Sequence, residues 1–280
     1  MSDYLKLTHM EIRRFRHVLF GLMAVTAAVQ ILAVIAAATS ELARRRQMHN
    51  IEYLHGQSAL FPSGKMTFAE TMFRIQTWYA APILLCIAAL LLYVFIIWYR
   101  DWFGKGTFIY RLLMLPGPRS HLYWAKLSAI LVFIFTLLSF QLLLLVLQDA
   151  LFRLIVPGDL RAPSHFSDVI SANRALPVLL PASPDQFLVS YGMGIVALLV
   201  VFAAILLERS YRPPYGIILA AGYLSVCGAA LAFATFKLLA GYYRWLYPGE
   251  MLVLVVAVWG VTAALSVWLG NRLLAKKVSV

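Results

Sequence analysis

The chain has 280 residues, of which 62% are apolar and only 13% charged, and its mean hydropathy is +0.81. A water-soluble domain is nearer half apolar and about a quarter charged, so composition excludes a soluble enzyme or binding module. The formal charge of +12 does not point to nucleic acid: the basic residues stand between long apolar runs, where Lys and Arg set orientation and meet anionic lipid.

Residues 1–16 carry the pattern of an amphipathic helix, with Leu5, Met10, Ile12 and Phe15 set against Lys6, Arg13, Arg14 and Arg16. Such a helix would lie in the inner membrane interface; an ordinary basic flank is the alternative. The first apolar run, 18–39, has 22 residues. A signal-peptide core has about 7–15, so the run reads as a membrane span. Five further runs follow at 79–98, 127–147, 187–207, 215–236 and 251–269, and none of the six contains Asp, Glu, Lys, Arg or His. Each meets the requirement of about 20 apolar residues for crossing the hydrocarbon layer. Backbone polar groups in lipid must bond internally, so the runs must be helices. The expected fold is an all-α integral membrane protein, one transmembrane domain over 1–280 with six transmembrane helices.

Helix-start signals agree with the span edges. Thr67 and Glu70 have the spacing of a capping box ahead of the second span, and Ser183-Pro184-Asp185-Gln186 combines a cap with proline at the first helical position ahead of the fourth. Six spans put both termini on one side. The four segments on that side carry 14 Lys and Arg in 63 residues, against 10 in 92 on the other, so the positive-inside rule places the N and C termini in the cytoplasm. Eight of the twelve acidic residues then lie outside, in agreement, while Arg44, Arg45 and Arg46 on the outer side run against the rule.

The chemistry of an enzyme is missing. There is no phosphate-binding GxxxxGK[ST] loop, no HExxH, no CxxC and no GxSxG. His49, Glu52 and His55 are the nearest approach to a metal cluster, and they read better as the solvated face of an outer helix. Cys86 and Cys227 fall inside apolar runs and read as small buried hydrophobes. Within the spans the polar residues that stand out are Gln30 and Gln141, expected to make interhelical hydrogen bonds or to line a pathway. Ion-coupled carriers need intramembrane ionisable groups, so energy for any transport would come from outside this chain. Tyr242, Tyr243, Trp245 and Tyr247 suggest an outer aromatic belt, Gly192 and Gly194 close helix packing, and Pro82 a kink in the second span.

The stretch between spans 2 and 3 is the most informative. Gly106 breaks the chain, Thr107 can cap, and Phe108, Ile109, Leu112 and Leu113 form one apolar helical face before Pro116-Gly117-Pro118 stops the helix. A short, stiff amphipathic rod of this kind can lie on lipid or dock in a groove of a cytoplasmic partner.

Here the sequence resembles a known family. Asp101, Gly106-Thr107, Leu112-Leu113, Leu115-Pro116, Arg119 and Ala125-Lys126, in that order and between the second and third of six spans, are similar to the coupling-helix region of ABC-2 type transporter permeases. The resemblance implies the transmembrane permease subunit of an ATP-binding-cassette exporter in a bacterial plasma membrane. It is not itself an enzyme, and it would bind no cofactor in this chain, since ATP and Mg would be bound by partner subunits. The implied partners are two ABC ATPase subunits, a second permease subunit, identical or a sister, and membrane lipids, with no nucleic acid. On this reading Thr107, Phe108, Tyr110, Arg111, Leu112, Leu113 and Leu115 contact the ATPase, Pro116 stiffens the rod, and Arg119 makes a polar contact beside it. Two departures stand out: only 14 residues, 237–250, are available for the re-entrant hairpin many members carry before the last span, and the outer segments 40–78 and 148–186 are long. A self-contained facilitator or channel, and a membrane assembly or sensor subunit that moves nothing, are the rival readings.

Overall fold

The computed structural model describes residues 3–55, 65–103, 118–181, 183–212, 214–238 and 247–276. In chain order the helices are α1 (Asp3–His55), α2 (Phe68–Arg74), α3 (Gln76–Phe103), α4 (Ser120–Ile155), a 3-10 turn (Gly158–Leu160), α5 (Phe166–Ala172), α6 (Leu176–Leu179), α7 (Pro184–Ser210), α8 (Tyr215–Ala232), a π turn continuing it (Phe233–Leu238) and α9 (Pro248–Lys276). Among the described residues there is no strand, only an isolated bridge between Met66 and Arg161. Among the described residues six helical segments are long and apolar enough to cross a bilayer: Tyr4–Gln47, Gln76–Trp102, Ser120–Ile155, Pro184–Ser210, Tyr215–Phe236 and Gly249–Ala275. Each contains one of the six apolar runs. Their outward faces are lipid-facing: Leu143, Val226 and Val253 are 66%, 69% and 67% exposed, an arrangement water would penalise and hydrocarbon does not. This is an all-α, multi-pass membrane protein.

The N-terminal amphipathic segment is not a separate helix. It runs into the first span without a break, as part of one 53-residue helix. Its buried positions are Glu11 and Phe15, while Leu5 is half exposed, so the side turned inward carries a carboxylate. Both expected caps form their forward half: the Thr67 hydroxyl accepts from Glu70 N–H at 3.2 Å, and the Ser183 hydroxyl from Gln186 N–H at 3.3 Å. The Glu70 carboxylate turns to Arg74 (3.0 Å), an i,i+4 pair on the face of α2.

The chain forms two compact units. The first comprises 1–14, 91–131 and 181–280. In it α7 packs against α8 and α9, with Val196, Val200, Val255 and Trp259 at the centre. Gly192 permits that approach, since a Cβ there would stand 3.2 Å from the Trp259 ring; Gly194 has open space. The turn from α7 into α8 is tighter still. A Cβ on Gly216 would lie 2.5 Å from the Glu208 carbonyl oxygen and 2.8 Å from that of Tyr211, so only glycine fits.

The second unit comprises 15–90 and 132–180. Its core joins Val34 and Ala38 of α1, Tyr79 and Ile83 of α3, and Leu145 and Phe152 of α4 to Met66, Met72, Val169 and Leu176 from the long segments. Those segments fold into short helices. Met66 N–H donates to Leu160 O (2.7 Å), Ala162 N–H donates back to Met66 O (2.9 Å), and α2 packs on α5. The arginines that run against the positive-inside rule are partly neutralised here: Glu41 accepts from Arg44 (2.7 and 2.9 Å) and Arg45 (2.9 Å) and pairs with Arg74 (3.0 Å).

Candidate functional site: an ionic cluster where spans 2 and 3 meet

The first unit contains a buried group of charges drawn from three helices. Lys126, one residue before the third apolar run, has no solvent exposure. Its ammonium donates to Asp101 Oδ2 (2.5 Å), to the Ile97 carbonyl (2.5 Å) and to Glu11 Oε1 (3.3 Å), and lies 5.1 Å from the centre of the Trp98 ring. All three ammonium protons can therefore be used, and the cation is also covered by a π face. Glu11 and Asp101 are 1% and 2% exposed, which would be prohibitive for lone carboxylates. Both are multiply paired. Glu11 Oε2 accepts from Arg100 (2.8 Å), and Arg14 pairs with Asp101 Oδ1 (3.3 Å) and Glu11 Oε1 (3.6 Å). Two carboxylates thus face three cations.

Aromatic packing fixes the frame around this cluster. Trp98, Tyr123 and Phe202 meet as near-perpendicular or tilted rings with centroids 5.3–6.5 Å apart. Such pairs contribute about 0.5–1.5 kcal/mol each beyond the area they bury. The Tyr99 hydroxyl donates to Glu208 at the end of α7, and the Arg209 guanidinium sits 4.7 Å over the Tyr99 ring. Tyr4 and Ser128 share a hydrogen bond of 2.5 Å. Within this unit the ends of α1, α3, α4 and α7 are therefore cross-braced by polar contacts, where each helix end would otherwise leave unsatisfied groups.

Arg119 is also described. Its Nη1 donates to the carbonyls of Leu274 (3.0 Å) and Ala275 (3.5 Å), a cation against the last turn of α9 that suits the helix dipole. The rod itself, with Thr107, Phe108, Tyr110, Arg111, Leu112, Leu113, Leu115 and Pro116, lies outside the described residues, as do Tyr242, Tyr243, Trp245 and the side chains of His49, Glu52 and His55. Among the described residues no group of three His, Cys, Asp or Glu is placed to hold a metal ion.

Gln30 and Gln141 come together in the second unit. Gln141 Nε2 donates to Gln30 Oε1 (3.0 Å) and to the Tyr79 hydroxyl (2.6 Å), Gln30 Nε2 donates to the Tyr79 carbonyl (3.2 Å), and Gln148 Nε2 reaches Gln30 Oε1 (3.2 Å). All four side chains are buried, and spans 1, 2 and 3 each contribute. The pair makes interhelical hydrogen bonds.

Asp101 and Lys126 stand in one sequence motif, which does not show that they touch, and nothing in the motif marks Glu11, Arg100, Tyr79 or Gln148 as their neighbours or as polar groups between spans. One signal was legible for Glu11: it is the lone acid in the second half of the basic N-terminal segment, three residues before Arg14. Comparison of the chain with protein-family models, with curated proteins and with solved structures finds no match.

Proposed function

We propose that this chain is the permease subunit of an ABC-2 type exporter, forming the translocation pathway and driven by two separate ATPase subunits that bind ATP and Mg. In this reading two permease subunits, identical or sisters, stand together in a bacterial plasma membrane with their termini in the cytoplasm. The segment 107–115 docks on the ATPase, and closure of the ATPases on ATP moves it.

The observation that supports the reading is the Asp101–Lys126 contact. These are the first and last residues of the stretch that resembles the family, and they are 25 positions apart. Their ion pair, completed by Glu11 and Arg100, clamps the chain entering the rod to the chain leaving it. With the end of span 2 tied to the start of span 3, a push delivered to the segment between them reaches both spans. A buried ion network is a weak stabiliser but a good device for fixing register.

Purification of the tagged chain from native membranes tests the proposal. It should co-purify a protein carrying a phosphate-binding loop, and Leu112→Asp should lose that partner while still inserting in the membrane. A partner-free chain that transports unaided in liposomes would establish the facilitator reading instead.

A further inference from the structure

The second unit holds a cleft that the transport reading does not use. It lies between the C-terminal end of α4, from Leu145 to Arg153, and the segment 158–169, and it has two neighbouring lobes of about 250 and 310 Å³ that share Phe68, Asp149, Arg153 and Ser164. Its walls are fixed. Phe68 and Phe152, both buried, form its floor as a ring pair 5.5 Å apart, and the 158–162 wall is bonded to Met66 on both sides.

The cleft is amphipathic along its length. One end opens beside Val146, 65% exposed, on the part of α4 that lies in the third apolar run, and beside Phe166, 53% exposed. The other lobe carries Arg161; Arg153 is shared by both lobes, and His165 lines the lobe that opens beside Val146, next to Phe166. Arg153 is committed to Asp149 (2.5 Å), so that pair is neutral. Arg161 is aimed across the cleft by its Nη1, which donates to the Arg153 carbonyl (3.1 Å), and this leaves the rest of its donor fork to a guest. Asp168 is occupied at the start of α5 by His165 N–H and the Ser167 hydroxyl, each at 3.3 Å. Of the charged side chains that line the cleft, Arg153 and Arg161 face one carboxylate, Asp149, so the lining carries one net positive charge. Asp168, outside the lining, keeps its negative charge beside His165. The tail of the cleft faces lipid.

We infer that the cleft binds an anionic phospholipid of the surrounding bilayer, with the phosphate at Arg161 and the first methylenes of an acyl chain along Leu145, Val146 and Phe166. Small-molecule pockets run from about 300 to 1,000 Å³, so lobes of this size take a head group and the start of a chain, not a whole lipid. Guanidinium suits phosphate because its fork matches two oxygens at once. The lipid would tie the ordered segment 158–169 to the bilayer beside span 3. The inference rests on the six-span fold and stands whether or not an ATPase partner exists.

Titration calorimetry of the full-length protein in dodecyl maltoside, with dioctanoyl phosphatidylglycerol as probe, tests it. Saturable binding is expected, with dioctanoyl phosphatidylcholine binding much more weakly. Losing one charge-assisted contact should weaken phosphatidylglycerol by about tenfold or more in Arg161→Gln, Arg161→Lys should recover part of that, and Arg46→Gln, an exposed basic residue of α1, should change nothing. Equal affinity for the two lipids, or equal losses in Arg161→Gln and Arg46→Gln, would overturn the site. If Arg161→Gln does not fold, Arg161→Lys carries the test, and unchanged affinity for phosphatidylglycerol there overturns the site too.

Discussion

Lys126 illustrates how much one buried side chain is asked to satisfy. A lysine with no exposure is tolerated only because a carboxylate stands on each side and a backbone carbonyl takes its third proton. Lys126→Met keeps the length and removes the charge, leaving Glu11 with Arg100 and Asp101 with the more distant, partly exposed Arg14; breaking a buried pair costs about 3–5 kcal/mol, and the remaining partners place this variant at the low end. The variant should show a lower thermal unfolding midpoint in detergent, and adding Asp101→Leu should restore part of it, because the second substitution removes the buried carboxylate that has lost its nearest partner. No recovery in the double variant would mean that Asp101 has independent work. The Gln30–Gln141 contact has smaller stakes. Interhelical side-chain hydrogen bonds in membranes contribute about 0.6 kcal/mol on average and up to about 1.7, so Gln141→Leu should lower the midpoint only slightly, even though it strips bonds from Gln30 and Tyr79.

At the scale of elements, the α7–α8 hairpin depends on an absent methyl group. Gly216 brings the start of α8 against the last carbonyls of α7, and any Cβ meets backbone atoms that cannot rotate away. Gly216→Ala should therefore cost at least the ~1–3 kcal/mol typical of overpacking. Gly222, in the same helix with nothing within 4 Å, should accept alanine without loss, since alanine is favoured over glycine in a helix interior by about 0.5–1 kcal/mol. Melting curves of the two variants separate backbone crowding from general intolerance of α8. The N-terminal segment makes a related point. Its apolar and basic pattern suits an interfacial helix, yet it continues straight into span 1, because Glu11 finds Lys126 and Arg100 and so draws that face inward. Periodicity shows that a face exists. It does not show what will cover it.

At the scale of the molecule, an even number of spans sets both ends of the chain on one side, and the proposed orientation, which rests on the Lys and Arg distribution, puts that side in the cytoplasm. Epitope tags at the two ends should both be protected from protease added to intact cells and both be cut after permeabilisation. One tag cut and one protected would contradict the six-span count. The Arg44–Arg46 run still counts against this orientation: Glu41 pairs with Arg44 and Arg45 but offsets only one charge and is shared with Arg74.

The sequence by itself determined the six spans, their helicity and the caps at Thr67 and Ser183. Each follows from local physics: apolar runs long enough for hydrocarbon, backbone groups that must bond within their own segment, and hydroxyls one turn ahead of orphan N–H groups. Only the tertiary structure decided that Glu11, Arg14, Arg100, Asp101 and Lys126 form one cluster, that three glutamines and Tyr79 meet between spans, and that 158–169 closes a charged cleft with the end of α4. Pairing across 25 to 115 positions leaves no local signature, since a charge at a span edge looks the same whether it snorkels to lipid or turns inward to a partner.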